Sequence, residues 1–243
     1  MESKSYQRFR SKIKYINQNL QVFDASLKVL SENLKTETDD SKLITKTLKL
    51  PAKTYNELNQ PVKEKDRLIS YSRSKMAEYS ILELFSAFTI YMRDITEEMY
   101  IRDPMKIVGK VNSGSTMTYI EIIKLGNFDK IREKIVGEIF RKFENERSTI
   151  KLIDKLLSHT KVIIPDSLKE MSLMYLEMRH LFIHNKGKAD DKFTNKYGEH
   201  VKLRTGKKLP TNFKTVMAGI DTVNRFTNSI DEQLIKENTL KSN

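Results

Sequence analysis

Four polar residues near the end of one predicted helix have side chains that could act on a phosphodiester. Arg179, His180, His184 and Asn185 fall within seven consecutive positions. The arginine guanidinium offers planar, paired donors that match phosphate oxygens, and an imidazole titrates near neutral pH and can move protons. We therefore interpret Arg179 and His184 as candidate catalytic residues. His180 and Asn185 would support them by orienting the substrate or the imidazole.

The stretch that carries these residues is predicted to be one largely buried helix. Its apolar residues recur every three or four positions, the period of one helical face. They are Leu168, Met171, Tyr175, Met178 and Phe182. Ser167 with Glu170 predicts a capping box at its start, and Gly187 predicts its end. Because an unpaired buried charge is costly, the cation either faces a ligand or pairs with a carboxylate, with the histidines filling polar corners of the core.

The run Arg179-His180-Leu181-Phe182-Ile183-His184 resembles the motif of HEPN-domain ribonucleases. That family has an arginine, then Asn, Asp or His, then three residues and a histidine, at the end of a late helix. The following Asn185-Lys186-Gly187 resembles the Asn-x-Gly run of the family. The resemblance covers most of the chain and is closest over about 152–230. It is nearest to prokaryotic single-domain members linked to toxin–antitoxin and anti-phage loci.

The resemblance implies a fold, a reaction and partners. The fold is an all-α, HEPN-like helical bundle. The reaction is metal-independent endonucleolytic cleavage of RNA, in which the 2′-hydroxyl of the substrate attacks the phosphorus, so no cofactor and no metal are expected. Two copies would form a homodimer with a composite active site. The chain would act as a toxin or an anti-phage defence effector, restrained by a cognate antitoxin or another defence-system protein.

Three other interpretations stay open at this point. The chain could be a non-catalytic HEPN-like module that binds RNA or protein, or a helical dimerisation or interaction protein. It could also bind zinc, because His180 and His184 have the helical spacing of zinc-binding pairs. Against zinc, Leu181 stands where a His-Glu-x-x-His motif has glutamate, and Asp190 and Asp191 lie beyond the helix end.

The charge of the chain favours a polyanionic partner. Lysine and arginine total 44 against 32 acidic residues, a formal net charge of +12, and nucleic acid is the commonest polyanion. A lysine-rich coding bias with a solvated surface is the alternative. Six basic residues follow the motif closely and are predicted to bind RNA phosphates beyond the cleaved one. They are Lys186, Lys188, Lys202, Arg204, Lys207 and Lys208.

Periodicity and composition predict one domain over 1–243. Only 8 glycines and 5 prolines occur, which favours helices. Nine apolar residues from Tyr6 to Leu34 recur at alternating spacings of three and four. They predict a long heptad helix over 1–36 that packs this apolar seam within the bundle or against a second chain, and 37–62 would be a connector. The bundle proper, 63–243, carries the motif, with helices predicted over 63–102, 127–143, 148–160 and from 213 onward, and a loop over 105–118. Near 200–209 the pattern fits a small β-hairpin that turns at Thr205-Gly206.

Neither a leader nor a membrane span is predicted from the sequence. The N-terminal residues have no apolar core of the signal-peptide kind. The longest apolar run, from Ile81 to Met92, contains Glu83 and is too short to cross a bilayer. No cysteine occurs, so disulfides and thiolate metal sites are excluded. We expect a cytoplasmic protein with no membrane partner.

Overall fold

The part of the chain that the structure describes contains helices and no β-strand. The computed structural model describes residues 1–102, 117–144, 153–154, 157–158 and 160–242. Its helices are α1 (Lys4–Lys35), α2 (Ile44–Thr47), α3 (Lys65–Arg102), α4 (Tyr119–Leu125), α5 (Phe128–Glu144), α6 (Asp166–His184), α7 (Asp191–Val201) and α8 (Phe213–Lys236). The predicted all-α class is confirmed.

The long helix α1 buries its apolar seam within the chain. The heptad spacing places one seam residue on the same face at every turn. Seven of the nine predicted seam residues are buried: Tyr6, Phe9, Ile13, Ile16, Leu20, Leu27 and Leu34. Phe23 and Leu30 are partly buried. The seam was predicted to pack either within the bundle or against a second chain. In the structure it is buried within one chain.

The chain divides into two compact units. One comprises Met1–Ile13, Phe85–Glu177 and Asp221–Asn243, and the other Lys14–Leu84 and Met178–Ile220. Each of α1, α3, α6 and α8 contributes residues to both units. The motif residues and the basic residues that follow them all belong to the second unit. A single domain over 1–243 stays a prediction.

A buried carboxylate holds the N-terminus in the first unit. Asp231 of α8 is fully buried. One carboxylate oxygen accepts the Ser3 backbone N–H at 2.8 Å, and the other accepts the Ser3 hydroxyl at 2.5 Å and the Tyr91 hydroxyl at 3.2 Å. Burial raises the pKa of Asp231, although these hydrogen bonds act to lower it. The three donors are buried with it, so they depend on this carboxylate for a partner.

In the second unit, the segment between α1 and α3 is short of regular structure but well anchored. It contains only α2 and two 3₁₀ turns, at Asn56–Leu58 and Val62–Glu64. Leu34, Ile44 and Val62 form a buried apolar cluster. Backbone hydrogen bonds bring the two ends of the segment together: the Ile44 N–H donates to the Gln60 carbonyl, and the Val62 N–H donates to the Lys42 carbonyl, both at 2.9 Å.

The predicted β-hairpin near 200–209 is wrong. Val201 belongs to α7, a helix for which the sequence pattern gave no prediction. The Asp190 side chain caps this helix by accepting the Phe193 N–H at 2.8 Å. Phe193 and Tyr197, one turn apart, are both buried. An aspartate cap and an (i, i+4) aromatic pair therefore favour a helix over the alternating pattern that suggested a strand.

The turn predicted at Thr205-Gly206 is present, although it joins no strands. Gly206 has φ +81°, in the left-handed region that favours glycine. The loop around it forms one isolated antiparallel bridge, between Lys208 and Lys188. The 203–209 loop therefore pairs with the segment that follows α6, and not with Val201.

Four other elements or boundaries depart from the predictions or cannot be compared with them. α4 was not predicted; Thr118 and Glu121 form a capping box at its start, and Gly126 ends it at φ +76°. α6 begins at Asp166, so Ser167 lies inside the helix and does not cap it. The predicted loop over 105–118 and the predicted helix over 148–160 fall mostly outside the described residues. No helix within the described ranges is both long and apolar enough for a bilayer.

Replacing Asp231 is expected to destabilise the fold strongly. Asp231→Ala leaves the buried donors of Ser3 and Tyr91 without their acceptor, which lowers the free energy of unfolding by about 2–4 kcal/mol. Asp221→Ala is the matched control on the same helix. Asp221 is exposed, and its ion pair with Arg225 is long, at 3.9 Å, and solvent-exposed, so the free energy of unfolding should change by no more than about 0.5 kcal/mol. Urea denaturation compares the two variants, and equal effects would contradict the assigned role of Asp231.

Candidate nucleic-acid site

Helix α6 fixes the angular positions of the motif residues. It is α-helical through His184, and the Asn185 N–H still donates to the Leu181 carbonyl at 2.9 Å. At about 100° per residue, Arg179 and His184 lie roughly 140° apart around the helix axis. One copy of the helix therefore does not place them on one face.

Arg179 and His184 lie at the two edges of an exposed strip on α6. Arg179 is partly buried, whereas His180 and His184 are exposed. Between the edges lie Ile183, at about 40° from Arg179, and His180, at about 100°. Ile183 is 48% exposed and adds an apolar side chain to the strip. The remaining side of the last turns is buried and carries Met178, Leu181 and Phe182.

The structure brings the two motif histidines together. The ring centroids of His180 and His184 are 4.7 Å apart, with the ring planes tilted by 42°. Both rings can therefore meet one ligand at the same face. Among the residues that the structure describes, no group of three or more His, Cys, Asp or Glu side chains could hold a metal ion. The pair consequently has no third metal ligand from this part of the chain.

Asn185 and Gly187 close the end of α6. The Leu181 carbonyl accepts the N–H groups of both Asn185 and Gly187 at 2.9 Å. The Asn185 side-chain amide donates to the Lys188 carbonyl at 2.7 Å. Lys186 and Gly187 both have left-handed backbones, at φ +52° and +72°. The chain therefore turns sharply after His184, and the Asn185 side chain helps to hold this turn. A role of Asn185 in orienting the substrate or the imidazole stays a prediction.

The basic loop pairs with this turn through its backbone. The Ala189 N–H donates to the Lys207 carbonyl at 2.9 Å, and the Leu209 N–H donates to the Gly187 carbonyl at 2.8 Å. The Gly206 N–H donates to the Ala189 carbonyl at 2.8 Å. These three bonds place the basic residues of the loop next to those that follow α6. Lys186, Lys188, Lys207 and Lys208 are brought together here, and all four are exposed.

The two other predicted basic residues flank this arrangement. Lys202 ends α7 with a left-handed backbone, and Arg204 follows in the loop; both are exposed. The sequence prediction omitted two exposed lysines on α7, Lys192 and Lys196, and the exposed His200. At about 100° per residue, Lys192 and Lys196 lie to one side of the buried aromatic pair of α7, whereas His200 lies within about 40° of the direction of that pair.

Positive charge is concentrated in this part of the second unit. Residues 178–214 contain ten lysines and arginines against three acidic residues, a net charge of +7 out of +12 for the whole chain. Three of the four histidines also lie here. The C-terminal end of a helix carries partial negative charge, which favours nearby cations. That effect acts within the last turn only, so it does not account for a cluster that extends through α7 and the loop.

Comparisons of the chain with protein-family models, curated proteins and solved structures gave no match. The resemblance to HEPN-domain ribonucleases therefore rests on the residues from Arg179 to Gly187. What it implies about reaction and partners stays a prediction.

Gly187 is expected to be the residue on which the turn after α6 depends most. An added Cβ would lie 3.2 Å from Cδ1 of the Phe182 ring and would also strain the φ of +72°. Gly187→Ala should lower the free energy of unfolding by about 2–3 kcal/mol. Gly126→Ala is the matched control, because its φ is +76° and nothing lies within 4 Å; it should lose only about 1 kcal/mol. Equal losses in urea denaturation would contradict the role of the Phe182 contact.

Proposed function

We propose that the chain is a metal-independent endoribonuclease whose active site is built on the exposed strip of α6. The observation that carries this proposal is the position of Arg179 and His184 at the edges of the strip, beside a loop of exposed lysines. The pair is not sealed in the core, since His184 is exposed and Arg179 only partly buried. The motif resemblance supports the same function independently of the geometry.

The proposed reaction is a transesterification within the RNA chain. The 2′-oxygen loses its proton and attacks the adjacent phosphorus, and the bond from phosphorus to the 5′-oxygen breaks as that oxygen gains a proton. The products carry a 2′,3′-cyclic phosphate and a 5′-hydroxyl. His184 transfers protons, for which an imidazole is well suited. Arg179 stabilises the extra negative charge on the pentacoordinate phosphorus with two parallel donors.

The active form in this proposal is a homodimer. Because Arg179 and His184 lie roughly 140° apart on one helix, a single copy does not present both to one phosphate. Two strips facing each other would place the arginine of one copy near the histidine of the other. Ile183, 48% exposed between them, supplies apolar area to such an interface. A twofold axis pairs the same patch on both copies, so one motif per chain suffices.

The proposed biological role follows from the resemblance. The chain would act as a toxin or as an anti-phage effector, and a cognate antitoxin or another defence-system protein would restrain it. An unrestrained endoribonuclease depletes cellular RNA, so expression without that partner should arrest growth.

A second candidate function is RNA binding without cleavage. The separation of Arg179 and His184 around one regular helix favours it, if the chain acts as a monomer. The basic loop and the exposed histidines would then bind phosphates without any bond being broken. The two candidates differ in whether RNA is cut and agree on where it binds.

Cleavage is expected to depend on both motif residues. The purified chain, in the presence of EDTA, should cut RNA and leave 2′,3′-cyclic phosphate ends, and should leave DNA of the same sequence intact because DNA lacks the 2′-hydroxyl. Arg179→Ala and His184→Ala should each reduce the rate by about 100-fold or more. The growth arrest caused by expression should disappear with both variants.

Arg225→Ala is the matched control for this experiment. Arg225 is an exposed arginine of the first unit, outside the motif and the basic loop, so its removal should change the cleavage rate by less than about threefold. Equal rates for the wild type and both motif variants would reject the nuclease proposal. RNA binding without any cleavage would favour the second candidate.

A further inference from the structure

Two lysines are held directly opposite each other beside the candidate site. Lys188 and Lys208 form an isolated antiparallel bridge. The hydrogen bonds run on either side of this pair, from Ala189 to Lys207 and from Leu209 to Gly187. Such a pair is the non-hydrogen-bonded kind, in which the Cα atoms are about 4.5 Å apart and the side chains are closest. Both lysines are exposed.

This placement is unfavourable for the protein alone. Like charges directly opposite each other in an antiparallel pair repel and destabilise the pairing. The backbone bonds and the turn at Gly206 nevertheless hold the two cations side by side. An anion bound between or across them would remove the repulsion. The geometry is therefore suited to a phosphate group.

Most phenylalanine and tyrosine side chains in this region face the interior. Of the four between 178 and 214, Phe182, Phe193 and Tyr197 are buried, and Phe213, 37% exposed, has the Lys28 ammonium 6.0 Å from its ring centroid. Sites that hold single strands by their bases present aromatic side chains on which bases stack. The loop beside Lys188 presents exposed lysine and arginine side chains instead. Its chemistry is directed at phosphates.

We propose that Lys188 and Lys208 form a phosphate clamp that grips the sugar–phosphate backbone of the substrate next to the cleaved bond, without contacting bases. This inference rests on the proposed function and adds its mode of substrate recognition. Binding is then independent of base identity and of the 2′-hydroxyl. DNA binds at the same surface as RNA and competes with it, although only RNA is cut.

Three fluorescent oligomers of equal length test the mode of recognition. They are an RNA, a DNA of the same sequence and an abasic deoxyribose-phosphate chain. Binding is measured by anisotropy with the full-length His184→Ala chain, so that cleavage does not interfere. All three should bind with dissociation constants within about threefold of each other, since each phosphate contact is electrostatic. An abasic chain that binds more than about tenfold weaker would overturn the proposal.

The clamp itself is tested by the salt dependence of binding. Each phosphate contact to a single strand contributes about 0.7 to the slope of log K against log salt. Because the two lysines hold one phosphate between them, Lys188→Gln with Lys208→Gln should reduce the slope by about 0.7. The affinity gained on lowering the salt from 1 M to 0.1 M should then be about fivefold smaller than for the parent chain. The matched control removes two exposed lysines elsewhere, Lys53→Gln with Lys63→Gln. A slope that is unchanged, or reduced equally by the control, would overturn the proposal.

Thermal stability separates a binding role from a structural one. Removing one member of a repelling pair, as in Lys208→Gln, should leave the Tm unchanged or raise it by about 1–3 °C. The same variant should weaken binding. A fall in Tm that accompanies the weaker binding would show that Lys208 serves the fold, and would overturn its assignment to the clamp.

Cleavage assays distinguish this inference from the function on which it rests. Base-independent binding that is lost in the double variant, with no cleavage by the wild type, would leave the clamp standing and reject the nuclease. Cleavage of RNA by the wild type together with poor binding of the abasic chain would reject the clamp and leave the nuclease proposal standing.

Discussion

The continuity of α6 through His184 is the constraint on which the site depends. A regular helix fixes the angle between Arg179 and His184, so their separation of roughly 140° is set by the backbone and not by rotamers. The helix then ends within three residues, because the Leu181 carbonyl accepts two N–H groups and Gly187 takes a left-handed backbone. If α6 ended a turn earlier, His184 would lie in a loop and the strip would not exist.

The same helix end organises the charge around the site. Gly187 and Ala189 exchange backbone hydrogen bonds with the 206–209 loop, so the turn after α6 also positions residues twenty positions further along. Lysines whose side chains repel one another are held close together by backbone hydrogen bonds, in which those side chains take no part. The first unit has a contrasting arrangement, in which the buried Asp231 carboxyl group accepts hydrogen bonds from three donors. The buried arrangement serves stability, and the other leaves charge exposed, where we propose that a phosphate binds.

Local patterns predicted the helices well and the relations between distant residues poorly. The heptad seam of α1 and the three-and-four spacing of α6 and α8 follow from burial of one face, so periodicity finds them. α7 was missed because only Phe193 and Tyr197 mark its buried face, and Val201 with Leu203 imitates the alternation of a strand. The motif located the candidate site at Arg179 and His184. Lys188 and Lys208 lie opposite each other because two segments twenty residues apart pair in one particular register. No local sequence pattern predicts that register.

Mixing two inactive variants tests the central claim, that one site takes its arginine and its histidine from different copies. Arg179→Ala and His184→Ala chains are purified separately, mixed in equal amounts, allowed to exchange subunits and assayed for RNA cleavage. Half of the dimers should then be mixed, each with one intact site of two, so that about a quarter of wild-type activity returns. A mixture that exchanges subunits, as measured by energy transfer between labelled chains, and stays inactive would contradict the composite site.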